Sequence, residues 1–158
     1  MNALTQPIAT EQPLSNRQHD LHNARSLLEA TLRFVRTQAQ PWAGSGLTNA
    51  SEDPYVISRF GDVQIRIEVA AALLERAEDF VNSHEDATET SIAIAEAHLA
   101  SAEALSTASN AEFELTGQRT VLPGSLHDPL RWKLQVIGNF RLNGIHPPSS
   151  PISTKEAV

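Results

Sequence analysis

The chain has 158 residues, a formal net charge of -7 and a sequence pI near 5.3. A negatively charged protein does not attract nucleic-acid phosphates or anionic lipid, so neither nucleic acid nor a membrane is an expected partner. The absence of cysteine excludes disulfides, thiolate nucleophiles and cysteine-ligated zinc or iron–sulfur centres. The sequence contains no membrane-spanning run and no signal-peptide pattern, which indicates a soluble, cytoplasmic protein.

The composition favours a helical domain with irregular ends. Hydrophobic residues make up 41% of the chain and aromatic residues only 5%, so Ala, Leu, Ile and Val supply most of the apolar surface. That amino-acid composition is more typical of helices packed on helices than of a β-sandwich. Proline and small polar residues dominate both ends. The sequence predicts a disordered leader over residues 1–15, a helical bundle over 16–146 and a disordered tail over 147–158.

Apolar spacing predicts two helices in the first half of the chain. The first is expected to end before Pro41, because proline disfavours helix at the residue that precedes it. The second is expected to begin at Asp53-Pro54, where the Asp side chain can accept amide protons and proline loses no hydrogen bond. The predicted buried face of the second helix alternates steps of four and three residues: Val56, Phe60, Val63, Ile67, Ala70, Leu74, Ala77 and Val81.

Two further helices are predicted after the polar stretch 82–86. The third is expected to end at Gly117 and to carry a stripe of small residues: Ala93, Ala97, Ala100, Ala104, Thr107 and Ala111. The fourth is expected to begin at Asp128-Pro129 and to turn four side chains inward: Trp132, Val136, Ile137 and Phe140. Because short connections bring consecutive helices side by side, the predicted fold is an all-α, antiparallel four-helix bundle.

Chemically informative residues follow the third predicted helix. No Asp or Glu has a His three residues after it, which excludes a di-metal carboxylate bundle, and no metal ligands are predicted. Arg119 and Thr120, just beyond Gly117, could hold an anion, although an arginine at this position often caps helix carbonyls. His127 precedes a predicted helix N-terminus, where the helix dipole favours a neutral imidazole able to accept a proton. Packing at a turn is the simpler interpretation of His127.

Several short motifs occur together in the order found in a known family. The segments 113–120 (FELTGQRT), 126–133 (LHDPLRWK), 137–140 (IGNF) and 142–148 (LNGIHPP) resemble the C-terminal signature of the acyl-CoA dehydrogenase-like flavin-dependent monooxygenases. Dibenzothiophene and sulfone desulfurisation enzymes form one branch of this family. The resemblance extends over roughly residues 20–148, and it implies the helical bundle of the family's C-terminal domain.

The resemblance implies roles for specific residues. Arg119, together with Gly117 and Thr120, is expected to bind the phosphate of FMN or FAD, often that of a neighbouring subunit. His127 is expected to assist the chemistry of reduced flavin with dioxygen, which oxygenates sulfur or a similar acceptor. A guanidinium suits the phosphate role because it can donate two parallel hydrogen bonds to one anion.

Family members carry an N-terminal helical domain and a middle β-domain ahead of this bundle. The chain is therefore expected to be the C-terminal bundle domain of a flavin-dependent oxidoreductase or monooxygenase, with little or no turnover alone. The alternative is a non-enzymatic helical oligomerisation module derived from that family, and a remnant of a decayed gene is a third interpretation. The expected partners are further copies, in a dimer or tetramer, or a chain that supplies the missing domains.

Overall fold

A computed structural model describes residues 12–83, 86–122 and 130–146. The four helices are α1 (Gln12–Thr37), α2 (Pro54–Ser83), α3 (Ala87–Thr116) and α4 (Leu130–Asn143). A short 3₁₀ turn, Ala50–Glu52, precedes α2. Among the described residues, no helix has both the length and the hydropathy needed to span a bilayer. Helix α1 begins inside the predicted leader, and the rest of that leader and the predicted tail lie outside the described residues.

Local capping explains where the helices begin and end. The Asp53 side chain accepts a hydrogen bond of 2.8 Å from the Tyr55 amide at the start of α2. The Asp86 side chain accepts from two amides in the first turn of α3, and α3 ends at Gly117, whose φ of 72° few other residues adopt without strain. These three signals were readable in the sequence. The predicted start of the fourth helix at Asp128-Pro129 lies outside the described residues.

Contacts between side chains of neighbouring helices show in which direction each helix runs. Gln18 near the start of α1 bonds Glu78 near the end of α2 at 2.9 Å. Arg59 near the start of α2 bonds Glu114 near the end of α3 at 2.7 Å. Consecutive helices are therefore antiparallel, α1 and α3 run parallel, and the predicted all-α four-helix architecture is confirmed.

The core lies between α1, α2 and α3, and α3 is the only described helix that packs against all three others. Most of the predicted face of α2 is buried, although Val81 at its end is 37% exposed. The small residues of α3 allow α1 and α2 to approach α3 closely. The principal buried cluster comprises Leu21, Ala24, Leu27, Val63, Ile67, Ala70, Leu74, Ala77, Ala93, Ala97, Ala104, Ala108 and Ala111.

Helix α4 is peripheral and contacts only α3 among the described helices. The prediction that Trp132 turns inward is wrong, because this side chain is 49% exposed and no residue of α4 is buried. The other three predicted inward residues are half-buried. A single neighbouring helix can cover only one strip of α4. Polar contacts strengthen the attachment, since Arg141 pairs with Glu89 at 3.3 Å and with Glu96 at 3.2 Å.

Arg17 of α1 carries a buried positive charge. Its residue exposure is 4%, and its Nε and Nη1 atoms have no hydrogen-bond partner within the described part of the chain. Burial lowers the pKa of Arg17 to about 10, an effect that the nearby negative charge of Asp20 partly opposes. A cation without full hydrogen bonding is costly in a protein interior, so Arg17 reduces the free energy of unfolding.

We expect Arg17→Met to raise the free energy of unfolding at pH 7 by about 1 kcal/mol, because an apolar side chain of similar length removes the buried charge. Urea denaturation measures this change, and Arg25→Met on the exposed side of α1 is the control. The lowered pKa means that the native state releases this proton more readily than the unfolded chain does. The difference in the free energy of unfolding between Arg17→Met and wild type should therefore become smaller as the pH rises past about 10. A variant clearly less stable than wild type at pH 7 would contradict this account.

Candidate functional site

The candidate residues Gly117, Arg119 and Thr120 lie in the turn that follows α3. The positive φ of Gly117 ends the helix, and its amide bonds the Phe113 carbonyl at 2.9 Å. The Gln118 amide donates to the Thr116 hydroxyl at 3.0 Å. These bonds fold the chain back, so that Arg119 and Thr120 contact residues earlier in α3.

A buried carboxylate closes the turn. The Thr120 amide donates to Glu112 Oε2 at 2.8 Å, and the Thr120 hydroxyl donates to Glu112 Oε1. Glu112 is only 8% exposed. Hydrogen bonds to an ionised acceptor are among the strongest in proteins, particularly where water is excluded. The Glu112–Thr120 pair therefore fixes the backbone on which Arg119 is carried.

The Arg119 guanidinium is held in place by neutral groups. Its Nη1 donates to Ser109 Oγ at 3.0 Å, its Nη2 donates to Asn110 Oδ1 at 3.1 Å, and its carbon lies 5.1 Å from the centre of the Phe113 ring. Neither bond goes to a backbone carbonyl of α3, so Arg119 does not cap the carbonyls of this helix, which was the alternative role considered from the sequence. Among the described residues, no carboxylate forms an ion pair with Arg119. The exposed guanidinium has further N–H donors that are not used by these bonds, and such donors suit an anion.

The predicted catalytic residue, His127, lies outside the described residues. The described helix nearest to it in sequence, α4, has a clear orientation. Its C-terminal part pairs with Glu89 and Glu96 in the first third of α3, so the N-terminal end of α4 points toward the end of the bundle where α3 stops. The Arg119 turn is at that same end.

A second polar cluster at this end joins α2 to α3. The Tyr55 hydroxyl and Arg59 Nε donate to the two oxygens of Glu114, and Arg59 Nη1 also pairs with Asp62 at 3.1 Å. The bonds from Tyr55 and Arg59 hold the pKa of Glu114 below its ordinary value. The bond to Glu114 in turn raises the pKa of Tyr55. The cluster fixes the last turn of α3 against the start of α2.

Sequence analysis missed the residues that support the candidate site. One side of α3 carries Ser109, Asn110 and Phe113. Their spacing is visible in the sequence, but it does not indicate that Arg119 folds back to contact them. Glu114 and Arg59 are 55 residues apart, and nothing local signals such a pair. Among the described residues, no group of three or more metal-ligating side chains could hold a metal ion.

No protein-family model matches the chain, but similar proteins are found. A dibenzothiophene monooxygenase from Rhodococcus erythropolis is 30% identical over 78% of this chain and 35% of its own length. One from Mycolicibacterium goodii is 28% identical with the same coverage. The "Probable FMNH2-dependent monooxygenase SfnC" of Pseudomonas putida is 24% identical over 93% of this chain and 44% of its own. The chain thus spans between a third and a half of these relatives.

The chain therefore resembles the acyl-CoA dehydrogenase-like flavin monooxygenases over a share of their length that is consistent with a C-terminal domain. Solved structures agree at the level of the fold. Methanesulfinate monooxygenase MsuC from Pseudomonas fluorescens superposes with a TM-score of 0.75 at 23% identity, covering 88% of this chain and 42% of MsuC. TdsC from Paenibacillus sp. A11-2, solved with FMN and indole, gives 0.74 at 22% identity, covering 87% and 41%. The predicted resemblance to this family and the predicted fold are confirmed, whereas the predicted residue roles remain predictions.

We expect Glu114→Gln to lower the Tm at pH 7 by about 1–3 °C, because the variant loses the ionised acceptor of two bonds between α2 and α3. The folded pKa of Glu114 lies below its ordinary value of 4.5, so this stabilisation is present at neutral pH and disappears as the pH falls through that range. Thermal unfolding monitored by circular dichroism at pH 7 and pH 3 measures both effects. Glu75→Gln, on the exposed side of α2, is the control; equal Tm losses at both pH values would refute the proposed role.

Proposed function

We propose that this chain acts in flavin-dependent monooxygenation, as a C-terminal helical domain that contributes Arg119 to the binding of a flavin phosphate. The proposal rests on the arrangement of Arg119. Two neutral side chains and an aromatic ring hold its guanidinium, and no acidic residue in the described part of the chain pairs with it. The homology to monooxygenases supplies the chemical context. Organic sulfur compounds are the proposed substrate class, because dibenzothiophene and methanesulfinate appear in the names of relatives and structural neighbours.

The residues of the turn divide the binding task. Arg119 can present two parallel donors to one phosphate, the geometry that makes guanidinium an effective phosphate ligand. Gly117 provides the reversal of the chain, and Thr120 holds the turn, since its amide and hydroxyl both bond Glu112. FMN is the proposed cofactor over FAD, because SfnC is named for FMNH2 and TdsC was solved with FMN.

The flavin, when bound, supplies the reaction of reduced cofactor with dioxygen, and the protein supplies orientation and exclusion of water. We assign His127 the task of holding or accepting a proton near that reaction, on the strength of the LHDP motif at 126–129. The described residues offer Arg119 for the phosphate, but the chain spans less than half the length of the monooxygenases it resembles. Turnover is therefore proposed to require additional domains, in the same chain or in a partner chain. A cytoplasmic location accompanies this proposal, because the sequence has no disulfide framework.

The phosphate role is tested by titrating the chain with FMN and, in parallel, with riboflavin, which has the same ring without the phosphate. We expect FMN to bind at least tenfold more tightly than riboflavin, because a charge-assisted hydrogen bond contributes about 1.5–3 kcal/mol. Calorimetry and flavin fluorescence measure the affinities.

Arg119→Ala should abolish the preference for FMN, whereas Arg25→Ala, an exposed arginine on α1, should leave it unchanged. Equal affinities of the wild-type chain for FMN and riboflavin would contradict the proposal. An unchanged preference in Arg119→Ala would assign phosphate binding to another residue.

The second candidate function, an oligomerisation module, is supported by the outer face of α2. Ile57, Ile65 and Val69 are 57%, 66% and 50% exposed, and they recur every four or eight residues on one side of the helix. Gly61 lies between them with open space where a Cβ would stand. An apolar stripe with a gap at its centre allows close approach of another helix. We propose that this stripe mediates a homodimer or a step in tetramer assembly.

We expect Ile65→Lys to convert a wild-type oligomer into a monomer, because burying an unpaired ammonium in an apolar interface is unfavourable. Sedimentation velocity at increasing protein concentration measures the mass. Gln64→Lys introduces the same charge one residue away from the stripe and should leave the oligomer intact. A monomeric wild-type chain at all concentrations, or dissociation by both substitutions, would refute assembly through this stripe.

A further inference from the structure

The C-terminal halves of the parallel helices α1 and α3 form a groove that is separate from Arg119. The cavity has a volume of about 290 Å³, and its lining includes Thr31, Phe34 and Gln38 from the α1 side and Glu112 from α3. Arg119 is not among the lining residues. The groove shares Glu112 with the turn that carries Arg119, but the proposed flavin role uses none of Thr31, Phe34 and Gln38.

The electrostatic character of the groove is negative. Both helices end beside it, and the terminal carbonyls of an α-helix carry a partial negative charge equivalent to about half an electron. The Glu112 carboxylate lies in its wall, 8% exposed, and its bonds from Thr120 come from neutral donors. Arg33 is the one cation among the lining residues, and it is paired on the surface with Glu29 at 3.2 Å.

Thr31 supplies an unused hydrogen-bonding group. This residue is 2% exposed, yet its Oγ1 atom has no hydrogen-bond partner in the described part of the chain. A buried hydroxyl without a partner costs free energy, and Thr31 is one of the residues that line the groove. Phe34, also in the lining, offers an aromatic ring, a surface to which cations are attracted.

We propose that this groove binds a small organic cation that carries an ammonium or guanidinium group. Glu112 and the two helix ends supply the negative potential, Thr31 Oγ1 accepts a hydrogen bond, and Phe34 contacts the face of the cation. A divalent metal ion does not fit, because Glu112 is the only carboxylate among the lining residues and no group of three or more metal-ligating side chains occurs in the described part of the chain. Since Glu112 also closes the turn after α3, binding changes the surroundings of the Thr120 amide.

Amide NMR of the isotopically labelled chain tests the proposal, with methylguanidinium chloride and methylammonium chloride as probes and sodium chloride at equal concentrations as the salt control. We expect saturable shifts of the Gln118 and Thr120 amides with at least one organic probe and no saturable shift with sodium chloride. Glu112→Gln should weaken binding at least tenfold, while Glu103→Gln, on an exposed position of α3, should not change it. Shifts that never saturate, or equal binding by Glu112→Gln, would overturn the proposal.

Further variants separate recognition of the cation from opening of the turn. Thr31→Val keeps the shape of the side chain and leaves Glu112 in place, and it should weaken binding at least threefold with an unchanged Thr120 signal in the free protein. Arg33→Gln removes a competing cation and should bind the probe at least as tightly as wild type. Wild-type affinity in Thr31→Val, or weaker binding in Arg33→Gln, would refute the proposed site. Arg119→Ala should leave the titration unchanged, so failure of the flavin proposal would not affect this result.

Discussion

The close packing of α3 against α1 and α2 organises the helical bundle. Alanines at buried positions keep the interhelical distance short along most of the length of α3, and α1 and α2 supply the larger Leu, Ile and Val side chains. Close-packed interiors tolerate added volume poorly. Packing thus sets the position of α3 along most of its length, and the bonds from Tyr55 and Arg59 to Glu114 fix its last turn against α2.

This constraint determines where functional groups can be placed. Because α3 is held along its length, its last turn is a defined platform, and Gly117 directs the following residues back onto it. Glu112 and Glu114, two residues apart on α3, face different neighbours: Glu112 bonds Thr120, and Glu114 bonds Tyr55 and Arg59 of α2. The same end of the bundle therefore carries the Arg119 turn and the groove beside α1.

Helix α4 shows what happens where that packing is missing. Among the described helices it has a single neighbour; it has no buried residue, and its attachment to α3 includes an ion-pair network. Glu96 joins the helices by accepting from Arg76 of α2 at 2.8 Å and from Arg141 of α4 at 3.2 Å. Such partly exposed pairs contribute little stability individually and weaken with salt. The contrast explains why the alanine-lined helix, and not α4, determines the geometry of the candidate site.

The sequence predicted features that depend on local chemistry. Asp53 and Gly117 mark helix boundaries through their own side chain or backbone preference, and the regular spacing along α2 reports one continuous buried face. The inward position of Trp132 was predicted wrongly, because periodicity identifies an apolar side without revealing how many neighbours cover it. The buried charges of Arg17 and Glu112 escaped prediction for a related reason. Their burial depends on packing between helices distant in sequence, and a lone polar residue in an amphipathic pattern resembles a surface residue.

We infer that the turn after α3 holds Arg119 in one orientation before any ligand binds. Nitrogen-15 NMR of the arginine side chain at low temperature tests this claim directly, because a guanidinium fixed by Ser109, Asn110 and Phe113 rotates slowly and gives separate Nη signals. We expect resolved Arg119 Nη signals in the wild-type chain that merge when Ser109 and Asn110 are both replaced by alanine. Rapid averaging of the Arg119 signals in the unaltered protein would contradict the claim.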